Sequence, residues 1–193
     1  DRFSLAVECI KRFEGWHGEK RHWPYVGYGH KVLPGERLTN DITKEQGDSI
    51  LRADLRKLCR MFSYLGRDSL IAAVLSYNVG AYRLKGYGKM PKSKLLKKLE
   101  AGDRNIYKEY VSFRCYKGKV VPSIERRRKV EFMLLFEEQL KKGEPFSCYH
   151  CQVLPYFFGL RSLHVSLPER HPVLPALPAD GKAGVPPWLR SVE

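Results

Sequence analysis

Apolar residues recur at helical spacing behind Ser4 (Leu5, Cys9 or Ile10, Phe13), which predicts a short helix over 4–14, capped by Ser4 and stopped by Gly15. From Tyr25 to Val32 the chain turns aromatic, β-branched and Gly-rich, and Leu33-Pro34-Gly35-Glu36 reads as a turn, so a small hairpin or sheet is expected there. Thr43-x-x-Gln46 is a capping box. The helix it opens carries Ile50 or Leu51, Leu55, Leu58 and Phe62 on one face and is expected to end near Gly66. Asp68 opens another, Leu70 to Tyr77, apolar nearly all round and therefore a central buried helix, with Asn78 and Gly80 as its stop.

Residues 81–92 read as a Gly- and Lys-rich loop. Ser93 to Ala101 forms a short basic helix before Gly102, and Ile106 to Val111 another. Pro122 and Ser123 open a last helix, Ile124 to about Lys142, with Val130, Leu134 or Leu135, and Phe136 facing in and Gly143 as its stop. After Gly143 the pattern is lost: eight of the twelve prolines fall in 144–193 without helical period, the signature of an irregular or disordered tail. The expected organisation is thus an ordered domain over 1–143 and a Pro-rich tail over 144–193. The fold class is α+β, mostly helical, with one small β element near the N-terminus.

A hydrophobic fraction of 43% suits a packed domain, and no apolar run approaches the ~18 residues of a membrane-spanning helix. The charge is more telling. The net +14 lies entirely in residues 1–143, because 144–193 holds four basic and four acidic residues. A basic domain prefers anionic partners: nucleic acid, anionic lipid or a bacterial cell wall.

Five cysteines, an odd number with the first three far apart, do not form a disulfide framework. Cys9 and Cys59 read as buried free thiols. Cys148-x-x-Cys151 around His150 lacks a well-placed second ligand pair, with His164 and His171 loosely spaced, so no metal site is expected.

Chemistry concentrates between Phe13 and His30. Glu14 lies at a helix C-terminus, whose partial negative charge disfavours a carboxylate, and Phe13, Trp16 and Trp23 add apolar surroundings. Both effects suit a general acid. Glu19, five residues on, falls in a wetter loop, and two carboxyls in unlike settings are the equipment of glycoside hydrolysis. The alternating glycines of Gly27-Tyr28-Gly29-His30 permit close backbone approach. Trp16, Trp23, Tyr25 and Tyr28 offer faces for sugar rings or bases. Each of these signals also has a plain structural explanation; their order and combination carry the weight.

That order resembles the phage-type lysozymes, or endolysins, of glycoside hydrolase family 24. The shared features are Glu14-Gly15 closing a first helix, Gly27-Tyr28-Gly29-His30 in a hairpin, and Thr43 to Gln46 opening a helix. Asn78-Val79-Gly80 follows Tyr77, then Ser93-Lys94-Leu95-Leu96 through Leu99 to Gly102-Asp103, and last Arg127-Arg128-Lys129-Val130-Glu131. The likeness spans roughly residues 4–140. It implies a lysozyme-like fold with a small β lobe, a helical lobe and a cleft between them. It implies a muramidase that cleaves the MurNAc–GlcNAc β-1,4 bond of peptidoglycan, with Glu14 as general acid and no metal or cofactor. Tyr25, His30, Tyr77 and Asn78 would line or support the saccharide site, His30 as scaffold more than catalyst.

The family has an Asp nine residues after the Glu and a Thr six further on. Counted forward from Glu14 those places hold Trp23 and Gly29; counted back from Gly27 they hold Glu19 and Tyr25. The second catalytic group is therefore Glu19, His22 or none. In the last case the C6 hydroxyl of muramic acid attacks its own anomeric carbon and the enzyme is a lytic transglycosylase. Hydrolysis is the first expectation because Glu19 is present.

The expected partner is peptidoglycan and its anionic wall surface, met by a monomer without a membrane span. It would be exported to the periplasm or beyond, or released to the wall during lysis. A nucleic-acid-binding module, supported by the charge and Arg126-Arg127-Arg128, is the rival from another class, and a wall-binding protein without catalysis is the third.

Overall fold

The computed structural model describes residues 1–136. Seven helices and two short hairpins make up this part, an α+β architecture dominated by helix. The expected 144–193 tail, with Cys148, His150 and Cys151, lies outside the described residues.

Helix α1 (Arg2–Glu14) starts earlier than its apolar spacing indicated, because Asp1 rather than Ser4 caps it: the Asp1 carboxylate accepts the Ser4 N–H at 2.7 Å. Gly15, at φ 71°, ends it. Strands β1 (Tyr25–Val26) and β2 (His30–Lys31) pair antiparallel, Tyr25 opposite Lys31 and Val26 opposite His30. Helix α2 (Lys44–Met61) opens with the expected capping box, Gln46 N–H to Thr43 at 3.2 Å and Thr43 N–H to Gln46 at 2.8 Å. It ends at Met61, before a 3-10 segment over Ser63–Asp68 in which Gly66 turns the chain at φ 58°.

Helix α3 (Ser69–Val79) is buried along Ile71 to Ser76 and again at Asn78, as its uniform apolarity demanded. Asp68 precedes it without capping it; its carboxylate is taken by Arg104 instead. The stretch read as a loop over 81–92 contains a further helix, α4 (Ala81–Lys85), which a single buried residue, Leu84, anchors. One apolar position in five residues is too sparse to register as a period. Helices α5 (Lys94–Glu100, capped by Ser93) and α6 (Tyr107–Val111) follow as expected.

The hairpin β3 (Cys115–Tyr116) and β4 (Lys119–Val120) has no hydrophobic alternation to betray it; it turns on Lys117 and Gly118, both at positive φ. Helix α7 (Pro122–Leu135) stops sooner than Lys142, since Phe136 is already extended. It buries Leu134, Leu135 and Phe136 as expected, but also Arg127, Arg128 and Glu131.

The core lies where α1, α2 and α7 pack around α3. The first hairpin sits on α2 by very close approach: a Cβ on Gly47 would stand 2.6 Å from the Trp16 ring and 3.4 Å from the Gly27 Cα. Among the described residues no helix is long and apolar enough to cross a membrane. Cys9, Cys59 and Cys115 are free thiols, buried, half-buried and exposed in turn. Burial, with the Glu131 charge nearby, pushes the Cys9 thiol up to about 12, so it is unreactive.

Candidate active site

Glu14 is the last residue of α1 and is buried, 6% exposed. Two donors converge on its Oε1: Asn78 Nδ2 at 3.1 Å, from the end of α3, and Arg127 Nη1 at 2.7 Å, from α7. Oε2 has no hydrogen-bond partner among the described residues and lies beside Gly29, where a Cβ would stand 3.6 Å from it. Gly29, at φ 94°, thus gives the hairpin both its turn and its proximity to the carboxyl.

The grip on Oε1 belongs to a larger buried network. Arg127 Nε also donates to Glu131 at 2.7 Å, and Arg128 Nη2 donates to Asn78 Oδ1 at 2.7 Å. Arg128 Nη1 is 2.9 Å from Glu131 Oε2, and the Tyr110 hydroxyl donates to that carboxylate at 3.0 Å. Two arginines face two glutamates, so the cluster can be neutral in a place where a lone charge would be very costly. Asn78 uses its amide in both directions, giving to Glu14 and receiving from Arg128.

Tyr77 joins this end of α3 to the hairpin: its hydroxyl donates to Tyr28 O at 2.9 Å. Burial and the Glu14 charge push its phenol well above the usual range, so it stays a donor. Trp16 meets Tyr28 edge-on at 5.1 Å, whereas Trp23 is 55% exposed and stands apart from that pair. Tyr25 is half-buried in β1, tilted against His17 at 6.4 Å, and Asn40 Nδ2 donates to its carbonyl at 2.8 Å.

His30 is clamped. Its Nδ1 is 2.6 Å from Asp54 of α2 and its Nε2 is 3.0 Å from Glu36. The two carboxylates, Asp54 above all, raise its pKa to about 9, so it is a cation at neutral pH and ties the hairpin to α2. Glu36 in turn accepts the Leu33 N–H at 2.7 Å and closes the predicted turn.

Glu19 is not gathered with Glu14. Its side chain is 62% exposed and pairs with Arg21 at 2.9 Å, in front of a 3-10 turn over Lys20–His22. His22 is buried, its Nδ1 accepting the Glu19 N–H at 3.2 Å, and its ring meets His17 edge-on at 5.1 Å. His17, also buried, has its Nδ1 3.3 Å from Gly27 O, and burial lowers its pKa. A cavity of about 300 Å³ walled by Arg67, Asp68, Glu100 and Arg104 includes none of these residues.

The structure therefore brings together Glu14, Asn78, Tyr77 and the hairpin glycines, holds His30 in a supporting clamp, and leaves Glu19 in solvent. The chain pattern did not show Arg127 as the partner of Glu14, nor Arg128 and Glu131 as the rest of that network. Their signal was present: Arg127 and Glu131 are spaced i, i+4, and they lie on the same buried side of α7 as Phe132, Leu134 and Leu135. Their burial also removes two of the three arginines that supported a nucleic-acid surface.

A mostly helical α+β unit, with a helix-terminal carboxyl held between buried Arg and Asn beneath a glycine hairpin, has the architecture of a lysozyme-like glycosidase. The Phage lysozyme family model matches residues 11–131, well over half of the chain, and the chain belongs to that family. It is thus a wall-lytic enzyme whose substrate is peptidoglycan. No curated protein matches the chain.

Proposed function

We propose that the chain is an N-acetylmuramidase that hydrolyses the MurNAc–GlcNAc β-1,4 bond, with Glu14 as general acid. The observation that carries this is the division of labour at the carboxyl. Arg127 and Asn78 occupy Oε1, and Oε2 is left beside Gly29 to present a proton to the glycosidic oxygen. As the C1–O4 bond breaks, the departing GlcNAc O4 takes that proton; water bonds to the anomeric carbon and gives up one proton, which restores the acid form of Glu14. Tyr77 and Asn78 hold the floor of the saccharide site, Tyr25 belongs to its hairpin wall, and His30 keeps that hairpin on α2. Glu19 is the carboxylate that steers water when glycan is bound. The basic surface of a monomer attracts the anionic wall, an attraction that salt weakens. Export, or release at lysis, brings the enzyme to its substrate.

A second reading has a specific observation behind it. Glu19 is exposed and paired with Arg21, with no contact to Glu14. If it takes no part, the O6 hydroxyl of MurNAc attacks C1 as the glycosidic bond breaks. Glu14 then protonates the leaving O4 and recovers the O6 proton. Water is not consumed, and the product is a 1,6-anhydro sugar.

Mass spectrometry of soluble muropeptides from purified peptidoglycan separates these. Reducing ends that vanish in Glu14→Gln and fall in Glu19→Gln are expected. Anhydro ends unaffected by Glu19→Gln would move the enzyme to the transglycosylases. No release by the wild-type chain would defeat both readings.

A further inference from the structure

Between Ala81 and Leu99 the chain carries seven lysines and arginines and no carboxylate, half the magnitude of its net charge in nineteen residues. Two of the seven are neutralised from outside the segment: Lys92 by Glu100 at 2.7 Å and Lys98 by Glu109 at 2.9 Å. Lys85, Lys89, Lys94 and Lys97 are exposed and have no carboxylate partner among the described residues.

Within this field stands an apolar knuckle. Tyr87 and Met90 exchange backbone hydrogen bonds of 3.1 and 2.9 Å around Gly88 and Lys89. Tyr87 is 81% exposed and Met90 43%. The base of the knuckle is tight, since a Cβ on Gly86 would stand 2.6 Å from Met90 O. Gly86 N–H bonds Tyr82 O at 2.8 Å and Ser93 N–H bonds Leu84 O at 2.9 Å, so α4, the knuckle and the start of α5 form one continuous surface. Tyr82, 40% exposed, adds a second ring, with Arg83 over it at 5.9 Å.

Cations alone would suit any polyanion. Aromatic and thioether side chains held at the tip of a turn among those cations are a different pattern. A phosphodiester polymer without bases would engage the lysines and leave Tyr87 and Met90 in water, and a nucleic-acid strand would stack on Tyr87 but leave Met90 unused. A bilayer interface rewards both sets: headgroup phosphates take the ammonium groups, and the headgroup–acyl boundary takes tyrosine and methionine. We propose that the α4–knuckle–α5 surface docks on an anionic phospholipid bilayer, Tyr87 and Met90 entering the interface and Lys85, Lys89, Lys94 and Lys97 meeting the phosphates.

Sedimentation of the full chain with vesicles tests this. Phosphatidylglycerol-containing vesicles should bind the chain and pure phosphatidylcholine vesicles should not. Tyr87→Ser with Met90→Ser, which leaves the charge unchanged, should lower the partition coefficient at least ten-fold. Lys85→Ser with Lys89→Ser should lower it at least ten-fold too. Lys117→Ser with Lys119→Ser, an equal change of charge on the exposed β3–β4 turn, should lower it less than three-fold. Absence of binding to the anionic vesicles would overturn the proposal. So would an undiminished Tyr87/Met90 double variant, or equal loss from the two lysine pairs, because either means generic attraction by a cationic chain.

Discussion

Arg127 and Glu14 meet at 2.7 Å, with side chains 4% and 2% exposed, although 113 positions separate them along the chain. The contact joins α7 to the last residue of α1. It places a permanent cation against the carboxyl proposed to supply a proton, and it shares that cation with Glu131. A buried pair of this kind does not outdo well-packed apolar residues, but loss of one member leaves the other charge stranded.

Arg127→Met should therefore destabilise the protein by about 3–5 kcal/mol, read from urea unfolding. Adding Glu14→Gln to it should recover part of that loss, because the stranded carboxylate is gone. A cost below about 1 kcal/mol for Arg127→Met, in the range of an exposed pair, would contradict the burial of the network.

Asn78→Leu removes the donor to Glu14 and the acceptor for Arg128 in one step. Muropeptide release should fall about 10²-fold or more, and stability by about 1–3 kcal/mol per buried partner left unsatisfied. Asn78→Asp keeps the acceptor for Arg128 but sets a third carboxylate against Glu14 Oε1 in a buried cluster of two arginines and two glutamates, so at pH 7 its stability should fall as well and its activity should remain low. Wild-type activity in Asn78→Asp would count against Asn78 as a support of the acid.

The His30 clamp makes stability fall with alkali. Its folded pKa, about 9, lies above the ordinary value of 6.5. The stabilisation is complete below about 6.5 and is lost as pH rises through about 9. Unfolding free energy should decline between pH 7 and 10, and His30→Gln should flatten that decline. Direct titration of the His30 ring by NMR should give a midpoint near 9; a midpoint near 6.5 would mean that Asp54 and Glu36 do not hold it.

His17 gives the opposite limb. Burial depresses its folded pKa, so the unfolded chain binds the extra proton first. Its contribution is complete above about 6.5 and is lost as pH falls below that value. Amide exchange at His17, whose N–H bonds Gly27 O at 2.7 Å, should quicken from pH 7 to 5 after correction for intrinsic rates. His17→Phe should remove this dependence, and the wild-type His17 ring should titrate below the ordinary histidine value when followed by NMR.

Gly47→Ala should destabilise by about 1–3 kcal/mol through overpacking, although alanine in a helix interior is worth about 1 kcal/mol over glycine. The methyl group would meet the Trp16 ring at 2.6 Å. Pairing it with Trp16→Leu should restore part of the loss. A stabilised Gly47→Ala would mean that Trp16 moves aside freely.

Much of the helical framework was legible along the chain because its signals are local. The Thr43 capping box, the uniform apolarity of 70–77 and the stops at Gly15 and Gly80 are read within one or two turns, and each appears in the structure. Helix α4, the β3–β4 hairpin and the early end of α7 were not legible, since one buried leucine, a Lys-Gly turn and an extended Phe136 leave no period to read. At the site, Glu14 could be singled out by its place at a helix end, and the motif order around it resembles the family to which the chain belongs. What tertiary structure alone decided is how that carboxyl is held. Whether Arg127 faces water or Glu14, whether Glu19 meets Glu14 or Arg21, and whether His30 is free or clamped depend on residues tens of positions apart. Helical period and turn chemistry fix which face a residue occupies, but only packing of α1, α3 and α7 against one another fixes what that face meets.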